Sequence, residues 1–399
     1  MNDFIHFVIL DERTLFRAIW LGLLGKKVFI IDIAPRFPVV RNILQICFHG
    51  LEKMGIVVDP NTALTTDEIQ QSRIWPNSYP RMYSALEIHI AKRFRFDELD
   101  DLFSPADALA FKHTCAVYVD TNLRQISRLR YFMRLNSGRL IKLWGIDADT
   151  IDWYQHYFGE KPNCDIVLFE SASPALSIAL AATVMIGAIG WSISRLTFGA
   201  RIKKEYFLGI DFNGDYRFLN LVEEITDLPN DVLVIHRNAK LMKLGKQVFS
   251  KQVYRHYLQN SGYLEISNYF QNIRDTISSI YRQMKFSKSF PSPLSYEIIK
   301  LPYKRLIFKA LLTRFKLKYF LARDDYNVEH ILRTDELRQE NAISLGIAHG
   351  LPVPEAICGT WRYIDFDIYY TFGEHYYNKY YADTWSPTIV VKDTGSTFG

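Results

Sequence analysis

A chain of 399 residues with 48% hydrophobic and 23% charged side chains has the composition of a folded protein, with room for two domains that each bury a core. That balance excludes long disordered tracts, and the net charge of +5 is small, although the basic residues are unevenly spread. The four cysteines, Cys47, Cys115, Cys164 and Cys358, form no CxxC or Cys/His pair, so buried thiols in a reducing compartment are expected.

The first apolar run, Phe4 to Leu10, follows Asp3 and lacks both a basic flank and a small-residue cleavage site. It reads as a first strand rather than a signal peptide. Arg13 to Leu24 has a helical pattern, and Val28 to Ile33 is the next β-prone run. A second helix is expected over about Val39 to Met54, leading to "GIVVD". Further on, "RLIKLWG" and "CDIVLFE" read as strands around a helix at Ile151 to Phe158. Strands alternating with helices predict an α/β domain over residues 1–170.

Ser171 to Ser194 contains no charged residue. A membrane span needs roughly 20 such residues, but the basic residues that follow, Arg195, Arg201, Lys203 and Lys204, would place this end in the cytoplasm. The preceding domain would then have to be exported without a visible signal. A buried helix is therefore expected over 171–200, ahead of shallow membrane insertion or a single span at 174–194.

A second α/β pattern starts with "EYFLGIDFNG", continues with a helix over Tyr216 to Thr226, and reaches "DVLVIHRN". Asp211, Asn213, His236, Arg237 and Asn238 fall at strand exits, where open parallel sheets hold ligands. From Arg282 to Lys318 there are ten basic residues against one acid, Glu297, interleaved with aromatic and aliphatic side chains. That pattern suits a basic amphipathic helix meeting an anionic membrane surface or an anionic ligand, or else a solvated helix face. No nucleic-acid-binding motif accompanies it, so nucleic acid is not expected as a partner.

Three strand exits follow in close succession: Arg323, Asp324 and Asp325; then His349 and Gly350; then Gly373, Glu374 and His375. The histidines lack metal-ligand spacing, and no GxSxG, GxGxxG or P-loop is present. A histidine can take a proton from an attacking hydroxyl, arginines can neutralise phosphate, and a glycine behind the histidine lets a ligand approach the backbone. Group transfer from a phosphate-activated donor is compatible with these residues, as are purely structural roles.

The stretch "RDDYNVEHILRT", through "GIAHG", to "YTFGEHYYNKYY" resembles surface-polysaccharide biosynthesis proteins of the type B glycosyltransferase fold. It is similar, more distantly, to CDP-glycerol glycerophosphotransferases. The resemblance covers about Tyr319 to Tyr381 and weakens back to Tyr206. It is absent over residues 1–170, where the strand and helix pattern alone predicts the domain, so the expected fold is two Rossmann-like parallel-sheet domains, 1–170 and 201–385, joined by the apolar helix. The resemblance implies a further Rossmann-like domain opening at 386–399, on "PTIVVKDTGSTFG", and hence that the chain is a piece of a longer protein. His349 matches the family's transfer histidine. Arg323, Asp324, Asp325, Arg333, Gly350, Gly373, Glu374, Asp211 and Asn213 are expected around substrate.

The implied activity is transfer of a sugar from a nucleotide sugar to a glycan or lipid-linked acceptor at the cytoplasmic face of a bacterial plasma membrane. It needs no metal or other cofactor, and 282–318 is the expected contact with the anionic bilayer. The alternatives are CDP-polyol phosphotransfer and a non-catalytic membrane-peripheral scaffold.

Overall fold

The computed structural model describes residues 4–33, 40–59, 79–168, 173–198, 203–212, 232–237, 254–323, 325–348, 357–386 and 388–393. The chain forms two compact units: residues 1–95, 115–177 and 288–296 make the first, and 96–114, 178–287 and 297–399 the second. Both are α/β with parallel sheets, as expected. Their boundaries are interleaved in sequence, unlike the contiguous 1–170 and 201–385 division. The reason is that the helices Pro105–Leu135 and Pro174–Ser194 each contribute one end to either unit.

In the first unit, β1 (Ile5–Leu10), β2 (Val28–Ile33), β3 (Ile141–Trp144) and β4 (Asp165–Val167) form a parallel sheet in the order β2-β1-β3-β4. Val58 adds a parallel bridge to Phe29 beyond β2. Every residue of β1 is buried, because the sheet is covered on both faces. One face packs on Ala18 and Leu21 of the helix Thr14–Leu23 and on Leu44, Phe48 and Leu51 of the helix Arg41–Lys53. The other face packs on Leu129, Tyr131 and Phe132. At the exit of β3, Gly145 has φ +85° and lies so close to β1 that a Cβ would fall 2.4 Å from the Ile9 carbonyl oxygen. Asp147 then caps the helix Ala148–Phe158 by accepting from the Thr150 N–H at 2.7 Å.

The second unit contains β5 (Leu196–Thr197), β6 (Lys204–Phe212), β7 (Val232–His236), β8 (Tyr254–Tyr257), β9 (Leu264–Glu265), β10 (Phe315–Ala322), β11 (Ile343–Ile347), β12 (Ile368–Thr371) and β13 (Val390–Asp393). β5 and β9 form a short parallel pair. The other seven make one parallel sheet in the order β13-β12-β11-β10-β6-β7-β8. Counted along the chain from β6, that sequence is the doubly wound dinucleotide-fold order with a seventh strand added. Tyr206, Leu233, Ile235, Leu317 and Phe320 pack on Leu311 and Leu312 at one face, and Leu208, Ile210, Val232, Val234 and Leu321 form the core at the other.

Several expectations change here. The described part of 386–399 belongs to the seven-stranded sheet: β13 pairs in parallel with β12, so Val390 and Val391 extend it. The helix Pro174–Ser194 is long and apolar enough to cross a membrane by length and composition, with a hydropathy of 1.9. It leads from the first unit into the second, yet it is not wholly buried. Leu180, Ala181, Val184 and Ala188 form its buried stripe, while Ile178, Ile186 and Ile193 are exposed.

The basic stretch 282–318 is not one amphipathic helix. It passes through the helices Ile266–Ser287, Ser292–Ile299 and Leu301–Arg314 and enters β10, where "FKLK" alternates buried and exposed residues at the two-residue period of a strand. Much of its charge is matched internally. Arg305 pairs with Asp107, Asp335 and Glu336, Lys304 with Glu297 and Glu329, and Lys316 with Glu205.

Candidate functional site

The direction of chain progression in the seven-stranded sheet reverses between β6 and β10, which pair directly through Leu321 and Ile210. Outside the C-terminal ends of such neighbours the connecting segments diverge and leave a crevice, the usual ligand position in open α/β sheets. Asp211 lies near the end of β6, Arg237 immediately after β7, and Arg323 immediately after β10. All three therefore belong to one edge.

Asp211 is the centre of that edge. Its carboxylate accepts from Arg237 Nε at 3.0 Å and from Nη2 at 2.6 Å, a two-pronged contact matched to guanidinium geometry. It also accepts from Arg333 Nη1 at 3.0 Å. Arg333 is buried on the helix Glu329–Gln339, with its guanidinium carbon 4.7 Å from the centroid of the Phe320 ring. A carboxylate and an aromatic face thus replace the water this cation gives up.

The network continues outward. Arg237 Nη1 lies 4.0 Å from Glu329, Glu329 lies 3.1 Å from Lys304 Nζ, Lys304 lies 3.7 Å from Glu297, and Glu297 lies 3.0 Å from Lys300. Burial alone would push the Glu329 carboxyl up, but Lys304 and Arg237 outweigh it and hold the pKa at about 2. The Lys304 ammonium is pushed down by burial and raised more strongly by Glu329 and Glu297, so it stays charged. Four cations, Arg333, Arg237, Lys304 and Lys300, alternate with three carboxylates, and the exit of β10 adds one buried residue of each sign, Arg323 and Asp325. Among the described residues this leaves a surplus of one positive charge, a balance compatible with an anion.

Asp325 is fully buried and accepts from the Tyr369 hydroxyl at 2.6 Å. Burial, followed by the Asp325 charge, raises the Tyr369 phenol well above its ordinary range, so it remains a donor. His330 stacks on Phe366 at 4.9 Å and meets the edge of His113 at 5.2 Å, both rings being buried in the core. The His113 ring is disfavoured from protonation by burial, against the opposing effect of its hydrogen bond to the Tyr363 carbonyl.

Of the residues expected around substrate, Asp211 and Arg333 are brought into direct contact, and Arg323 stands at the adjoining strand exit. Asp211 is neutralised by arginines rather than left open to an acceptor, and Arg333 is a buried support. Asp325 is engaged by β12. Gly373 precedes the helix Glu374–Tyr380 in extended backbone, with open space where a Cβ would stand, so nothing there requires glycine. His349, Gly350, Asp324 and Asn213, together with the Glu374 side chain, lie outside the described residues.

No local pattern marks Glu329, Lys304 or Tyr369, whose partners Arg237, Glu329 and Asp325 lie on other segments of the chain. Arg237 was visible as a strand-exit residue but carried no role. Among the described residues, no group of three or more His, Cys, Asp and Glu side chains is arranged to hold a metal ion. A polar pocket of about 390 Å³ includes Lys203, Glu265, Asn272, Lys309, Glu336 and Glu340 in its lining. Lys203 and Glu340 precede β6 and β11, which puts this pocket at the sheet edge opposite the switch point.

No protein-family model, curated protein or solved structure matches the chain.

Proposed function

We propose that the second unit binds the phosphate groups of a nucleotide-activated sugar at the β6/β10 switch point and that the protein transfers the sugar to a glycan or lipid-linked acceptor in bacterial envelope assembly. The observation carrying this reading is the Asp211-centred cationic network at that edge of a doubly wound sheet. Arg237, with 22% of its side chain exposed, is the residue placed to meet an anion, while Asp211 and Arg333 hold its position.

His349 follows β11, the neighbour of β10, by two residues in sequence and is the proposed base for the acceptor hydroxyl. The resemblance over Tyr319 to Tyr381 supports this assignment, and the reaction is placed at the cytoplasmic face of the membrane. Incubating the protein with a panel of nucleotide sugars and lipid-linked acceptors tests the reading. Sugar transfer with release of the nucleotide, abolished in His349→Ala, is the expected result. A product retaining phosphate in the linkage, with release of CMP, would assign CDP-polyol phosphotransfer instead, and no transfer with any donor would favour a scaffold.

A further inference from the structure

The helices Thr14–Leu23 and Arg41–Lys53 already bury one apolar face each against the first unit's sheet, through Ala18 and Leu21 and through Leu44, Phe48 and Leu51. Their outward faces are apolar too. On the first helix and its C-cap, Phe16 is 77% exposed, with Trp20, Leu23 and Leu24 beside it at helical spacing. On the second, Ile46 is 72% exposed, with Ile43 on the helix and Met54 at its end also outward. The two elements lie close together: a Cβ on Gly22 would fall 2.2 Å from the carbonyl oxygen of Ile56, just beyond the second helix.

Isolated exposed leucines need no explanation, but a clustered set of this size on adjoining helices marks an interaction surface. Charge identifies the occupant. Arg17, Arg41 and Lys53 are exposed on these same helices, Arg17 with its guanidinium over the Trp144 ring. Of the nearby carboxylates, Asp11 is engaged by Arg13 and Asp32 by Gln125 and Arg128, Glu52 lies 3.8 Å from His49, and Glu12 is half-buried. Aromatic and aliphatic side chains with a cationic surround match an anionic lipid surface, where apolar groups enter the acyl boundary and cations meet headgroups.

We propose that this outward face of the helices Thr14–Leu23 and Arg41–Lys53 docks the protein on an anionic bilayer. The assignment stands apart from the transfer chemistry and from the stretch 282–318.

The test is co-sedimentation of the full chain with vesicles of phosphatidylcholine alone or of phosphatidylcholine containing phosphatidylglycerol. Binding to the anionic vesicles is expected to fall roughly tenfold or more in Phe16→Glu/Trp20→Glu, and also in Arg41→Glu/Lys53→Glu, with unchanged far-ultraviolet circular dichroism. As a second readout that keeps the fold, quenching of tryptophan fluorescence by brominated anionic lipid is expected to diminish in Trp20→Phe. Equal binding to both lipids, or binding that survives both double variants, would overturn the proposal. Self-association abolished by Phe16→Glu/Trp20→Glu, without vesicle binding, would overturn it in favour of a second copy of the chain.

Discussion

Arg333 and Asp211, 122 positions apart, meet at 3.0 Å with side chains only 2% and 4% exposed. Such a pair contributes little over an apolar core when intact, but loss of one partner leaves a buried charge uncompensated. Asp211→Asn is therefore expected to destabilise the second unit by about 3 kcal/mol. The Asp211→Asn/Arg333→Met double variant should lose less than the two single variants together. Urea unfolding followed by circular dichroism checks both points, and a loss confined to experimental scatter would show that the pair is not supporting the edge.

Glu329 gives a pH signature. Its folded pKa of about 2 lies below the ordinary glutamate value of 4.5, so the unfolded chain binds the proton more readily. The resulting stability is present above pH 4.5 and is lost as pH falls from there towards 2. Because 23% of the side chain is exposed, its size is discounted to on the order of 2 kcal/mol. Wild type should exceed Glu329→Gln in stability near neutral pH, and the gap should close towards pH 2. A gap independent of pH would contradict this assignment.

Tyr369→Phe removes the donor that Asp325 accepts at 2.6 Å in a fully buried setting. A loss of about 1–3 kcal/mol is expected, larger than for a surface hydroxyl, because the carboxylate remains without that donor. Thermal unfolding would measure it. An unchanged midpoint would mean that the hydroxyl contributes nothing at this position.

The sequence made the strand exits legible because the β-branched runs before them are short and end in polar groups, as at Asp211 and Arg323. It could not pair them. Arg237 reaches Asp211 across 26 positions and Tyr369 reaches Asp325 across 44, contacts set by strand order rather than by local pattern. The start of β10 was hidden because "FKLK" continues the basic composition of the preceding helix, and only its period-two burial separates them. The cationic count of 282–318 likewise gave no sign that Lys304 and Arg305 are committed to carboxylates on other segments. His349, the residue most prominent in the sequence, lies outside the described residues.

In the proposed function, the β6/β10 edge binds phosphate through Arg237. Isothermal titration of the full chain with uridine, cytidine, guanosine and thymidine diphosphates, repeated with Arg237→Ala, tests it most directly. One nucleotide should bind, and the variant should weaken it by roughly tenfold or more, the loss of a charge-assisted contact. No binding by any of the four, or an affinity unmoved by Arg237→Ala, would rule out a phosphate site at this edge.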